Sequence, residues 1–313
     1  MLEVNDLTIE LKSSSNSFII LRSVNFTLKK GEILGIAGES GSGKTILAKT
    51  ILNLIKNPVV KTAGEIILDG KTLKTEKDFR AVRGKKISMI FQNPTASLNP
   101  VFTVGSQIIE TIRTHNPEIS AKEAEKRAEE LLSEVEIPHP KERLKSFPHQ
   151  LSGGMNQRVM IAMALASSPE ILIADEPTTA LDVTIQQQIV ELIKKLNREK
   201  ELSVIFITHD LSLLAQVADE SFIMYAGEMM ERLTSKDLKD GNMRHPYTRN
   251  LQNCVPKLGD NREFLNTIKG TITFNNSDFD NACIFHPRCE KATDKCRKEK
   301  PEFINGFSCF YPH

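Results

Sequence analysis

Gly38-Glu39-Ser40-Gly41-Ser42-Gly43-Lys44-Thr45 carries the G-x-x-x-x-G-K-[ST] spacing of a phosphate-binding loop. An apolar run, Ile33-Leu34-Gly35-Ile36-Ala37, precedes it and a helical pattern over residues 46–55 follows, so the loop is predicted to join a buried strand to a helix. In that setting glycines let backbone N–H groups turn inward around phosphate oxygens, and the helix presents its positive end to them. Gly38, Ser40, Gly41 and Gly43 form the cradle. Lys44 is placed to reach the β- and γ-phosphates of a nucleotide, and the Thr45 hydroxyl to ligate Mg²⁺.

The 313 residues, 40% hydrophobic and 26% charged, suffice for one large domain with an appendage. A formal net charge of +1 gives no electrostatic footprint for nucleic acid, and none is expected as a partner. Met1-Leu2-Glu3-Val4-Asn5-Asp6 lacks the basic and apolar regions of an export signal, and no long apolar run follows, so the chain is expected in the cytosol. Of five cysteines, four lie between residues 283 and 309. In a chain without an export signal, a metal or cluster explains them better than disulfides.

Residues 2–11 and 24–28 alternate apolar and polar side chains, as strands with one covered face do. Residues 64–70 predict another strand closed by the Asp69-Gly70 turn, and residues 87–91 a buried strand ending at Gln92. From about residue 93 to 148 the period becomes helical. Ser120 and Glu123 form a capping box, with Ala124, Ala128, Leu131, Leu132 and Val135 on one face. Strand signals return at residues 171–174 and 203–207, separated by a helix that buries Ile185, Ile189, Leu192, Ile193 and Leu196. The expectation is an α/β protein: a mainly parallel sheet flanked by helices, an antiparallel N-terminal β subdomain, and a helical insert over about 93–168. After about residue 233 the pattern is irregular, which puts a boundary near residue 235 and leaves 236–313 as an extension.

Asp175 and Glu176 end the strand over 171–174, and adjacent carboxylates there call for a cation. Asp175 suits a water-mediated Mg²⁺ contact and Glu176 the base that polarises an attacking water. Gln92 carries an amide able to touch both Mg²⁺ and that water. His209, just after the strand over 203–207, could donate to a γ-phosphate, but taken alone it reads more readily as a surface or capping histidine. Ser152, Gly153 and Gly154 open a helix predicted to run to about residue 167, before Pro169. They read either as an ordinary N-cap or as a second anion site.

Taken together, the phosphate loop, Gln92, Leu151-Ser152-Gly153-Gly154-Met155, Asp175-Glu176, Ala180-Leu181-Asp182 and His209 resemble, in order and context, the ATPase subunit of an ABC transporter over residues 1–235. The resemblance implies a phosphate-loop NTPase fold, ATP with Mg²⁺, and two cassettes paired head to tail. Ser152, Gly153 and Gly154 of one subunit would then close over ATP held by the other, with Asp182 joining the two sites. It further implies Glu176 as catalytic base, His209 as switch, and Gln92 at the start of the loop that senses the membrane partner. The family stacks adenine on an aromatic residue where this chain has Leu11, before Ser13-Ser14-Ser15, leaving Phe18 or Ile20 as substitutes.

Gln92-Asn93-Pro94-Thr95-Ala96-Ser97-Leu98-Asn99-Pro100, the helix start Arg158-Val159-Met160-Ile161-Ala162-Met163-Ala164-Leu165, and His245-Pro246-Tyr247-Thr248 resemble the oligopeptide and dipeptide importer branch, which includes nickel-importing relatives. The branch implies a sister ATPase subunit as heterodimer partner, two integral-membrane permease subunits, an external substrate-binding protein, and a place on the cytoplasmic face of the membrane. Rival readings are an exporter cassette and a soluble cassette protein acting on ribosomes or DNA. Cys283, Cys289, Cys296 and Cys309 resemble the branch's C-terminal extension, some members of which carry a [4Fe-4S] cluster. The spacing lacks the C-x-x-C pair of structural zinc sites, so cluster, zinc and reduced thiols stay open. Cys254 stands apart as an inert thiol.

Overall fold

Alternating apolar residues, uninterrupted apolar runs and capping residues each leave their mark in the computed structural model, which describes residues 1–12, 17–55, 60–92, 97–179, 181–254, 267–272 and 281–313. Its strands are β1 (Leu2–Lys12), β2 (Ser17–Leu28), β3 (Ile33–Ala37), β4 (Val60–Leu68), β5 (Lys71–Thr72), β6 (Ile87–Ile90), β7 (Ile171–Asp175), β8 (Ser203–Thr208), β9 (Glu220–Tyr225) and β10 (Glu228–Thr234). The helices are α1 (Lys44–Ile51), α2 (Glu76–Val82), α3 (Val104–His115), α4 (Ala121–Glu134), α5 (Pro140–Arg143), α6 (Gly153–Leu165), α7 (Val183–Lys200), α8 (Leu211–Val217), α9 (Ser235–Asp240), α10 (Pro246–Asn253) and α11 (Asp294–Lys298). They fall into two units. The first comprises Met1–Lys29, Ile33–Thr75 and Phe206–His313, the second Lys30–Glu32 and Glu76–Ile205.

In the first unit the N-terminal alternation becomes an antiparallel sheet in the order β2-β1-β4-β5. Leu2, Val4, Leu7 and Ile9 are fully buried along β1. Asp69 and Gly70 both take positive φ, 50° and 76°, which is the geometry a two-residue hairpin between twisted strands demands. β3 runs parallel to β9, with Ala37 opposite Ile223, and is buried at all five positions. A strand covered on both faces has no reason to alternate, and this one does not. β9 and β10, which the sequence pattern left unassigned, form an antiparallel pair. Beyond residue 233, where irregular chain was expected, α9 and α10 occur. They are specified by caps rather than by periodicity: Thr234 and Asp237 form a capping box, and His245 caps α10 with Pro246 at its first turn.

In the second unit β6 and β7 are parallel, Ile87 opposite Ile171. The predicted insert appears as α3, α4, α5 and α6, with the Ser120–Glu123 capping box formed and Ala124, Ala128, Leu131 and Leu132 buried. α7 buries Ile189, Val190, Leu192, Ile193 and Leu196. Two helix ends fall short of expectation. α1 stops at Ile51, where Asn53 turns the chain with φ 49°, and α6 stops at Leu165, where Ser168 does so with φ 53°. Among the described residues no helix is long and apolar enough to cross a membrane.

Candidate nucleotide site

The phosphate loop leaves the end of β3 with Gly38 at φ 156°, and a Cβ there would lie 2.2 Å from the Met224 carbonyl oxygen. Only glycine fits. At the other end Gly43, φ 107°, is the N-cap of α1 and supplies no side chain, so the N–H groups of the first turn remain for a ligand. Lys44 is buried, and its ammonium donates to the carbonyls of Gly38 (2.8 Å) and Glu39 (2.9 Å) and approaches Ser42 Oγ at 3.4 Å. Its charge therefore bridges the loop's own rim. Ser40 and Gly41 are exposed at the crown of the loop and Thr45 is half-buried. The Gly227 N–H donates to the Ser42 carbonyl at 2.9 Å, tying the loop to the β9–β10 turn.

Glu39 is held by residues that sequence reasoning did not assign to the site. Its N–H donates to the Tyr247 hydroxyl at 2.9 Å, and its carboxylate takes two hydrogen bonds from Arg288 at 2.7 and 3.0 Å. His245-Pro246-Tyr247 was visible as a branch motif, but nothing in it pointed to the phosphate loop. Of the adenine candidates, Leu11 pairs with Phe18 across β1 and β2, and Phe18 is exposed. A Cβ at Gly43 would approach the Ile20 carbonyl oxygen at 3.3 Å. Ser13, Ser14 and Ser15 lie outside the described residues. His209 follows β8 and is exposed, while Asp210 caps α8 by accepting from the N–H of Ser212 at 2.7 Å.

In the second unit β7 delivers Asp175, 1% exposed, and then Glu176 in the left-handed region at φ 48°. The Gln92 side-chain amide donates to Glu176 Oε2 at 2.8 Å, and the Thr179 hydroxyl donates to the same oxygen at 2.8 Å. Gln92 and Glu176, 84 residues apart in sequence, are thus brought together with the carboxylate's aim fixed from two sides. Ser152 caps α6 by accepting from the Met155 N–H, and Asp182 caps α7 by accepting from the Ile185 N–H at 2.9 Å. Ser152 and Gly153 are exposed, whereas a Cβ at Gly154 would lie 2.7 Å from Ile185 Cγ2. Both readings of Ser152 are therefore compatible: it is an N-cap, and its helix tip is open. Residues 93–96, which follow Gln92, and Ala180 lie outside the described residues.

Cys283, Cys289, Cys296 and Cys309 line one cavity together with His245, Phe285 and Phe310. All are free thiols. Burial raises the thiol pKa of Cys283 to about 12 and also lifts those of Cys289 and Cys309, so without a cation these groups are protonated. The expectation of a ready-made metal site is corrected here: among the described residues no group of three or more His, Cys, Asp or Glu is arranged to hold a metal ion.

Comparison with known proteins agrees with this geometry. The ABC transporter family profile matches residues 21–179, and that of the oligopeptide/dipeptide transporter C-terminal region matches residues 230–296. The dipeptide transport ATP-binding protein DppD of Escherichia coli is 43% identical over 303 residues, 96% of this chain and 92% of the relative. The oligopeptide transport ATP-binding protein OppD of Bacillus subtilis is 50% identical over 275 residues, 87% of this chain and 76% of the relative. Among solved structures, the dimeric ATP-binding cassette MJ0796 in a post-hydrolysis state with ADP and Pi superposes with TM-score 0.66 at 32% identity, covering 75% of this chain and 99% of that one. With a phosphate loop, an aimed carboxylate and two open helix tips in place, the chain belongs to the ABC transporter family as an ATP-hydrolysing cassette that carries the C-terminal region of oligopeptide/dipeptide transporters.

Proposed function

We propose that this cassette is the ATPase subunit of a peptide importer, working at the cytoplasmic face of a membrane. The observation that carries this reading is the match along nearly the full chain to relatives named for dipeptide and oligopeptide transport. These names favour peptide cargo over nickel. In this reading the cassette pairs with a sister ATPase subunit, contacts two integral-membrane permease subunits near Gln92, and answers to an external substrate-binding protein. The division of labour falls near residue 235, with residues 1–235 as the cassette and 236–313 as the extension; the extension profile starting at residue 230 supports that division.

Each residue has a role in this scheme. The N–H groups of Gly41, Gly43, Lys44 and Thr45 and the Lys44 ammonium bind the β- and γ-phosphates of ATP. Thr45, Gln92 and, through water, Asp175 would hold Mg²⁺, which would supply neutralisation of the phosphate charge. Glu176, aimed by Gln92 and Thr179, takes a proton from water as that water attacks the γ-phosphorus; the bond to the β–γ bridging oxygen breaks, leaving ADP and phosphate. His209 senses the γ-phosphate. Ser152, Gly153 and Gly154 of one cassette close over nucleotide bound by its partner, and Asp182 links the two sites. Because each ATP contacts both cassettes, binding favours the closed pair and hydrolysis reopens it.

The reading is tested in a complex reconstituted with both membrane subunits and the external binding protein. Glu176→Gln is expected to keep ATP binding and lower turnover by roughly 10²- to 10⁴-fold. Normal turnover in that variant removes Glu176 from the base role, and failure of peptide-loaded binding protein to stimulate ATPase activity removes the importer reading.

For the extension we propose a [4Fe-4S] cluster on Cys283, Cys289, Cys296 and Cys309. The supporting observation is that the four thiols, 26 residues apart at the extremes of the sequence, line one cavity. When bound, such a cluster supplies cross-links that fix the tail. Iron and acid-labile sulfide near four each per chain after anaerobic purification would support it. Zinc, or neither element, would refute it.

A further inference from the structure

A carboxylate inside a loop built to hold a polyanion is an electrostatic contradiction, and Glu39 is that carboxylate. Its backbone carbonyl accepts from Lys44, the residue that meets the phosphates, at 2.9 Å. Charges within a Debye length of about 8–10 Å repel appreciably even near water, and more so in a partly buried loop. The contradiction is resolved from 249 residues away. The Arg288 guanidinium forks onto both oxygens of Glu39 at 2.7 and 3.0 Å. Two of its other N–H groups donate to the carbonyls of Lys269 at 2.8 Å and Ile268 at 3.1 Å. The side chain is 5% exposed and lies 5.6 Å from the centre of the Tyr225 ring. Tyr225, Tyr247 and Phe285 pack with ring centres 4.9 to 5.3 Å apart. That cluster fixes the Tyr247 hydroxyl, which takes the Glu39 N–H.

We propose that Arg288 is a positioning residue for ATP: it supplies the counter-charge that lets Glu39 stand in the phosphate loop, and so makes the cysteine-rich extension a working wall of the nucleotide site. Arginine suits this because its fixed fork matches both carboxylate oxygens at once, which a lysine ammonium does not. The inference rests on ATP binding by the cassette and on neither the cargo nor the state of the thiols.

The distinguishing test is a rescue. An arginine that merely attaches the extension is not replaced by neutralising Glu39, whereas a counter-charge is no longer needed once its partner is neutral. With the full-length chain, Mg²⁺ and fluorescent mant-ATP at neutral pH and low salt, Arg288→Ala is expected to raise Kd about tenfold. Glu39→Gln alone should bind within about threefold of the wild type or more tightly, and the double variant Arg288→Ala/Glu39→Gln should return to within about threefold of it. Unchanged affinity in Arg288→Ala overturns the proposal, as does a double variant as weak as Arg288→Ala alone. Thermal melts without nucleotide accompany each variant. Should Arg288→Ala not fold, Arg288→Gln, which keeps a donor for the Ile268 and Lys269 carbonyls while removing the charge, carries the same comparison. Lys44→Ala separates the two levels: if it still binds mant-ATP, the nucleotide-site assignment itself fails, whatever Arg288 does.

Discussion

Glu176 owes its aim to two neighbours and its position to a backbone conformation few non-glycine residues adopt. A residue held at φ 48° beside a buried Asp175 cannot relax by rotating its backbone, so side-chain hydrogen bonds set where the carboxylate points. Replacing Thr179 by valine keeps the volume and removes one donor. Loss of about 1 kcal/mol of alignment is expected to lower kcat about fivefold while mant-ATP affinity stays within twofold, as read from steady-state ATPase assays. Gly38 makes the opposite kind of demand, for the absence of a side chain. Gly38→Ala would put a Cβ 2.2 Å from the Met224 carbonyl oxygen, which is backbone and cannot step aside. Nucleotide binding should be lost and the melting temperature should fall; retention of both would show that the loop has another stable shape.

The two helix tips of the second unit are built alike: an exposed N-cap side chain satisfies one N–H and leaves its neighbours open. Ser152→Ala should therefore cost about 1 kcal/mol of folding stability in the chain on its own, by denaturant titration. In the assembled transporter the loss of ATPase activity should exceed what that stability change explains, because the same hydroxyl is proposed to meet nucleotide on the partner cassette. The far end of α4 is an electrostatic clasp. Glu134 pairs with Arg127 at 2.8 Å and Lys200 at 3.0 Å; just past the helix, Glu136 pairs with Lys195 at 2.9 Å and Arg158 at 3.3 Å. Burial pushes the Glu134 carboxyl up, but Arg127 and Lys200 outweigh it, and Lys195 leads in holding Glu136 down. Both carboxylates thus bind protons more weakly folded than unfolded. Their stabilising contribution is present above the ordinary carboxylate value and is lost as pH falls through the lowered ones. Glu134→Gln/Glu136→Gln should melt below the wild type at pH 7, and the difference should close in acid.

The end of the chain returns to the sheet. The Arg232 N–H donates to the Gly306 carbonyl at 2.7 Å and the Ser308 N–H to the Met230 carbonyl at 2.9 Å, so residues 306–308 pair with β10. Arg244 lies 4.7 Å from the centre of the Phe307 ring. Removing residues 304–313 would bare those backbone groups on β10, and an unpaired strand edge invites association with a second chain. The truncated protein is expected to melt lower and to self-associate in size-exclusion chromatography; a monodisperse product with unchanged melting would show that the tail adds nothing to that edge.

Local features carried much of this protein. The phosphate loop is legible because its spacing is its mechanism. Strands β3, β6, β7 and β8 are legible because apolar runs of that length are buried on both faces, and α4 and α7 because their apolar period is that of a helix. The β9–β10 pair and the helices after residue 233 escaped, since caps and turns rather than a periodic stripe define them. The Gln92–Glu176 bond and the Arg288–Glu39 fork escaped for a deeper reason. Residue-by-residue preference for water or apolar surroundings shows along a chain as period and run length, whereas a pairing across 84 or 249 residues leaves no local trace and exists only once folding has closed the distance.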